Sequence, residues 1–133
     1  MSKATQALET VQTAYAAFGR GDVPTIVSML SEKFEWKFIG AKGLAYTGSF
    51  NTAEQVGNWF ADVARLDDIT HFEPREFISG EAGHVTVLGW ERTRAQPGGK
   101  VFECEWAHVF TVTEGRISRF WGIYDTQASA AAR

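Results

Sequence analysis

Only one cysteine, Cys104, occurs in the 133 residues, so the chain can form neither an internal disulfide nor a thiolate metal cluster. Three prolines are too few for a stiff linker or a low-complexity tract. No stretch approaches the roughly 18–20 apolar residues of a membrane-spanning helix. The opening Met1-Ser2-Lys3-Ala4-Thr5-Gln6 leads into an amphipathic segment rather than a secretory signal. An excess of basic residues is missing too. Lys plus Arg number 13 against 16 Asp plus Glu, a net charge of −3, which gives no general attraction to nucleic acid or anionic membranes. There is no His-x-His pair, no phosphate-binding glycine loop ending in Lys-Ser/Thr and no Gly-x-Ser-x-Gly elbow. The expectation is a cytoplasmic protein of one domain, without cofactor or metal, that binds neither nucleic acid nor membrane.

What the chain has is aromatic surface: ten Phe, five Trp and three Tyr. Leu8, Val11, Tyr15 and Phe18 recur at helical spacing and predict a helix over about residues 5–18, stopped by Gly19 and Gly21. Asp22 and Pro24 open a short second helix bearing Ile26, Val27 and Leu30. Phe34, Trp36 and Phe38 alternate with charged residues as in a strand. Thr52 and Gln55 fit a capping box ahead of the stripe Val56, Trp59, Phe60 and Val63. Four strands follow over about residues 70–79, 83–96, 100–113 and 116–125, joined by short turns, and residues 127–133 read as a small polar tail. Helices followed by long antiparallel strands predict an α+β fold. With Gly89 and Gly122 as bend points, the sheet is expected to curve strongly into a cone that encloses a pocket.

Several stretches then carry a resemblance. They are Tyr15-Ala16-Ala17-Phe18-Gly19-Arg20-Gly21-Asp22, Val56-Gly57-Asn58-Trp59-Phe60, the run from Trp106 to Ile117, and Phe120-Trp121-Gly122-Ile123-Tyr124-Asp125-Thr126. The chain resembles the nuclear-transport-factor-2-like superfamily, in particular its SnoaL-like and ketosteroid-isomerase-like branch. That resemblance implies a cone of helices on a mostly antiparallel sheet. At the catalytic positions of ketosteroid isomerases stand Ala14 and Phe38, so dienol-type isomerisation is not implied. In the SnoaL-like cyclases a histidine on the penultimate long strand works with an acid on the last, and His108 and Asp125 match those places.

The residues themselves allow two readings of this site. Period-two alternation puts Phe102, Cys104, Trp106, His108, Phe110 and Val112 on one strand face, so His108 is either a satisfied core histidine or a pocket-facing acid, base or orienting group. Asp125 either partners His108 or caps the strand end. Arg119 either binds an oxyanion or faces solvent. Trp36, Trp90, Trp106 and Trp121, with Tyr15, are the expected pocket wall for a small hydrophobic molecule. The expected activity is cofactor-free proton transfer on an apolar or polycyclic carbonyl compound. The alternatives are ligand binding without turnover, or partner docking. The open sheet face is expected to pair two copies as a homodimer.

Overall fold

The computed structural model describes residues 2–133. Helix α1 spans Lys3–Gly19 and α2 spans Val23–Ser28, followed by strands β1 (Leu30–Ile39) and β2 (Gly48–Phe50). Helix α3 (Ala53–Leu66) runs directly into β3 (Asp67–Ser79), and β4 (His84–Ala95), β5 (Val101–Thr113), β6 (Arg116–Tyr124) and α4 (Thr126–Ala131) complete the chain. Side-chain caps fix where the helices start. Ser2 accepts from the Thr5 amide and Asp22 from that of Thr25. Thr52 accepts from Gln55, but the Gln55 side chain returns to Asn51 rather than to Thr52, so the capping box closes one residue early. None of the helices is long and apolar enough to cross a membrane.

The fold is α+β and four of its five strand pairings are antiparallel, but the expected strongly curved cone is not what forms. The six strands make one open sheet of mixed sense in the order β2-β1-β6-β5-β4-β3, in which β1 runs parallel to β6. Alternation of side chains along a strand carries no information about the direction of its neighbour. The two glycines expected to bend the sheet stay in register, Gly89 opposite Trp106 and Gly122 opposite His108. Their role is clearance. A Cβ on Gly89 would lie 2.2 Å from the Trp106 indole, and one on Gly122 would lie 2.3 Å from the Phe38 ring.

One ladder irregularity does fall beside Gly89, on the partner strand: Pro74 pairs with Gly89 but Glu76 with Leu88, so Arg75 is an extra residue of β3. In β3 the register shifts between Ile69 and His71, and in β6 Thr111 pairs with Arg119 while Val112 pairs with Ile117. Thr70 and Ser118 are therefore extra residues as well, and the parity of each strand flips there. This is why Ile69 and Phe72, three apart, both line the interior, as do Ile117 and Phe120.

Helices α1 and α3 pack on one face of the sheet. Their buried stripes Ala7, Val11, Ala14, Ala17 and Val56, Trp59, Phe60 meet the inward rows of β1, β4, β5 and β6. The polar tail is ordered as α4. Asp125 caps it, Ser129 is fully buried, and Arg133 turns back onto Asp67.

Candidate functional site

Between the helices and the sheet lies a cavity of about 90 Å³, room for several waters or part of a small organic molecule. Its wall is largely aromatic, with Trp36, Trp59, Phe60, Phe72 and Phe120 among the rings. Polar atoms interrupt that surface at Tyr15, His108, Glu91, Asp67 and Tyr124, and at Trp36, whose buried indole N–H has no partner among the described residues.

Tyr15 and His108 form one unit. The Tyr15 hydroxyl lies 2.7 Å from His108 Nδ1, and the two rings are within 5° of parallel. The Trp106 indole stacks on the imidazole at 4.0 Å and 16° and is itself covered by Phe72 at 4.9 Å. Complete burial disfavours the imidazolium and lowers the His108 pKa to about 3. Burial likewise holds the Tyr15 phenol far above its ordinary value. At neutral pH both members are uncharged.

Glu91 is the acidic counterpart. The alternation of β4 turns Val85, Val87, Gly89, Glu91, Thr93 and Ala95 inward, so a carboxyl sits in an apolar row opposite Cys104. Burial pushes its pKa up to about 7. A hydrogen bond donated by the Thr93 hydroxyl opposes the rise, and the Asp67 charge adds to it. Burial also takes the Cys104 thiol up to about 12, which makes it a poor nucleophile.

Asp67 anchors a third polar group. Arg133 bonds its carboxylate, the Leu66 carbonyl, the Tyr46 hydroxyl and Ser129 Oγ. Tyr46 also bonds Tyr124 and Ser129. Burial raises the Asp67 pKa against the opposing pull of Arg133 and Tyr46. The cavity's remaining carboxylate is thus already engaged.

Of the residues singled out from sequence, Tyr15, Trp36 and His108 line the cavity. Trp106 is buried on the same face, behind Phe72. Trp90, Arg119 and Trp121 lie on the opposite face of the sheet. Trp90 pairs with Glu105, and Trp121 pairs with Val109, outward neighbours of Trp106 and His108. There Arg119 bonds Thr111 and His84 and covers the Trp121 ring, while Arg75 and Arg92 flank Trp90.

The expected pairing of His108 with Asp125 is not formed. Asp125 is exposed and accepts from the Ala128 amide at 3.0 Å as the cap of α4, because β6 ends at Tyr124, one residue before it. Glu91, Asp67 and Arg133 were missed. The one sequence signal was a Glu on the inward parity of β4; nothing local marked Arg133, which meets Asp67 across 66 residues.

The SnoaL-like domain model matches residues 11–120. The chain belongs to the SnoaL-like domain family. An uncharacterised protein of Mycobacterium tuberculosis is 31% identical to this SnoaL-like chain over 123 residues, covering 92% of it and 91% of the relative. Two solved structures share the fold. One is an NTF2-like protein of Burkholderia thailandensis (TM-score 0.85, 26% identity, 95% of each chain covered). The other is an NTF2-like protein of unknown function from Burkholderia pseudomallei (TM-score 0.85, 25% identity, 99% and 98% covered). Membership fixes the family and the fold, and leaves both activity and substrate open.

Proposed function

We propose that this SnoaL-like chain is a cytoplasmic, cofactor-independent acid/base enzyme that moves a proton on a small apolar carbonyl compound, with Glu91 as the base. One observation carries the reading: a carboxyl whose pKa is about 7 shares an aromatic cavity with a neutral hydrogen-bonding pair, Tyr15 and His108. A base works best when its pKa lies near the working pH. Two titratable groups pushed to opposite sides of neutrality are the usual sign of divided acid and base roles. Glu91 faces Cys104, and His108 lies four residues further along β5, so the backbones that carry the two groups are roughly 14 Å apart. Both side chains line the same cavity.

In this scheme the substrate carbonyl oxygen sits at His108 and the adjacent C–H points at Glu91. Glu91 takes the proton, and the hydrogen bond from His108 strengthens as negative charge grows on the oxygen. Isomerisation, aldol-type cyclisation or dehydration would each follow from that enolate, depending on the compound bound, whereas in a hydrolysis Glu91 would take its proton from an attacking water instead.

The test needs no known substrate. A panel of methyl ketones, tetralones and β-keto esters is incubated with the protein in D₂O, and loss of the α-C–H signal is followed by NMR. Exchange accelerated by the protein supports the reading. Compounds that bind and quench tryptophan fluorescence without any gain in exchange would sink it, and would leave a ligand-binding role for the same cavity.

The face away from the helices bears the exposed apolar residues Leu88 and Ile123 around Ala107, and we propose it as the contact of a homodimer. Sedimentation equilibrium should give twice the 14.7 kDa chain mass. A monomer at micromolar concentration rules this out.

A further inference from the structure

We propose that Tyr15 is a positioning residue that locks His108 in the Nε2–H tautomer, making the imidazole a fixed hydrogen-bond donor and the cavity selective for a neutral molecule with an acceptor oxygen. The inference extends the proton-transfer reading to the kind of group the cavity recognises. Its first test does not depend on catalysis.

The argument is a count of donors and acceptors. Two arrangements satisfy the 2.7 Å contact. If Nδ1–H donated to the phenol oxygen, the tyrosine proton would need a further acceptor. The groups around Tyr15 are the rings of Phe72, Phe77, Trp106 and Phe110, and no other bond to its hydroxyl forms among the described residues. Nε2 would then be a bare acceptor as well, leaving two buried atoms unpaired. If Tyr15 donates to Nδ1 instead, only Nε2–H is left over. Nε2 has no protein partner among the described residues, and His108 lines the cavity. Stacking under Trp106 at 4.0 Å holds the ring plane, and the 2.7 Å contact with Tyr15 fixes which edge of the ring faces the hydroxyl. Both orientation and tautomer are therefore set before any ligand arrives.

The same inventory excludes anions. The charged groups on the cavity wall are Asp67 and Glu91. Arg133 is committed to Asp67, Tyr46 and Ser129, and no Lys or Arg lines the cavity. A carboxylate placed against His108 would share the cavity with Glu91 and be desolvated with neutral donors alone, the unpaired Trp36 Nε1–H and His108's own Nε2–H. A ketone, ester or amide oxygen needs only one such donor.

Long-range ¹H–¹⁵N spectra of histidine-labelled protein report the tautomer directly, with His71→Gln and His84→Gln isolating the His108 signals. The expected result is Nε2–H with an unprotonated Nδ1, unchanged from pH 8 to pH 5. Tyr15→Phe, which keeps the ring, should give a mixture of tautomers. An Nδ1–H wild type overturns the lock, and so does a Tyr15→Phe spectrum identical to wild type. If Tyr15→Phe does not fold, the wild-type spectrum decides alone. For selectivity, acetophenone, ethylbenzene and benzoate are titrated at pH 8. The ketone should shift the Nε2–H resonance and bind about tenfold more tightly than ethylbenzene, with benzoate weakest. Benzoate binding as well as the ketone overturns the exclusion of anions. Failure of the exchange assay with the tautomer result intact would remove the catalytic reading and keep the recognition rule.

Discussion

Glu91→Gln should raise stability by about 3 kcal/mol at pH 8 while cutting proton exchange by ~10²–10⁴-fold. The stability half follows from linkage. In the unfolded chain Glu91 titrates near its ordinary 4.5, and in the native state near 7. Between those values the native protein holds a proton that the unfolded chain has released, so stability falls as pH rises. Each pH unit costs about 1.4 kcal/mol, about 3 kcal/mol in all by pH 7. Glutamine mimics the protonated acid and removes that loss.

His108 works with the opposite sign. Its pKa drops from 6.5 to about 3 on folding, so the unfolded chain binds the extra proton and stability falls as pH is lowered from 6.5 toward 3. From 4.5 to 6.5 the two slopes cancel. The wild type should therefore show a plateau there, with a decline toward pH 7 and another below 4.5. In Glu91→Gln the stability should climb steadily from pH 3 to pH 6.5 and then level off. Thermal melts across this range provide the check, with a gain of about 10 °C expected at pH 8. Unchanged melts would show that Glu91 is not a strained buried acid. Higher melting temperatures with full exchange activity would leave it buried but not the base.

Arg133→Ala should be the most damaging single change outside the hydrophobic core, costing about 3 kcal/mol and about 10 °C in melting temperature. It strips the partner from Asp67, whose side chain is 5% exposed, whereas the Leu66 carbonyl keeps the Gln96 amide and the Tyr46 hydroxyl keeps Tyr124 and Ser129. The uncompensated charge is the main cost, because a buried carboxylate without its cation keeps the desolvation penalty and loses the attraction. The deficit should therefore shrink as pH is lowered and Asp67 takes a proton. Arg133→Ala combined with Asp67→Asn should recover a large part of it at pH 8. A deficit independent of pH, or one the second substitution leaves untouched, would mean that Arg133 acts through packing of α4 rather than through the ion pair.

Arg133→Ala and Glu91→Gln also separate two tasks of the polar cavity wall. The Asp67–Arg133–Tyr46 group ties α4 and the loop before β2 to the end of α3. Glu91 carries its cost without a cation, its one side-chain bond being to Thr93. A group kept in an unfavourable state is a reasonable mark of use, and the exchange assay decides whether that holds here.

Much of the local structure was written in the sequence itself, since spacing and capping are local properties. The stripe Val56, Trp59, Phe60 and Val63 is the inner side of α3. The caps Asp22 and Thr52 start their helices where expected, and β5 alternates without a break from Phe102 to Val112. The inward position of His108 follows from that alternation alone. What tertiary structure decided is everything that depends on a neighbour distant in the chain. The parallel match of β1 to β6 is one case, and it leaves an open mixed sheet where a cone was expected. The extra residues Thr70, Arg75 and Ser118 are another, because a bulge is defined only against the partner strand. The position of Asp125 was decided in the same way. The family resemblance matched Asp125 to a partner of His108, but β6 stops before it, whereas Glu91 reaches the cavity from a strand on the other side of β5. Its pKa comes from burial among residues contributed by several elements, a property no single stretch of sequence possesses.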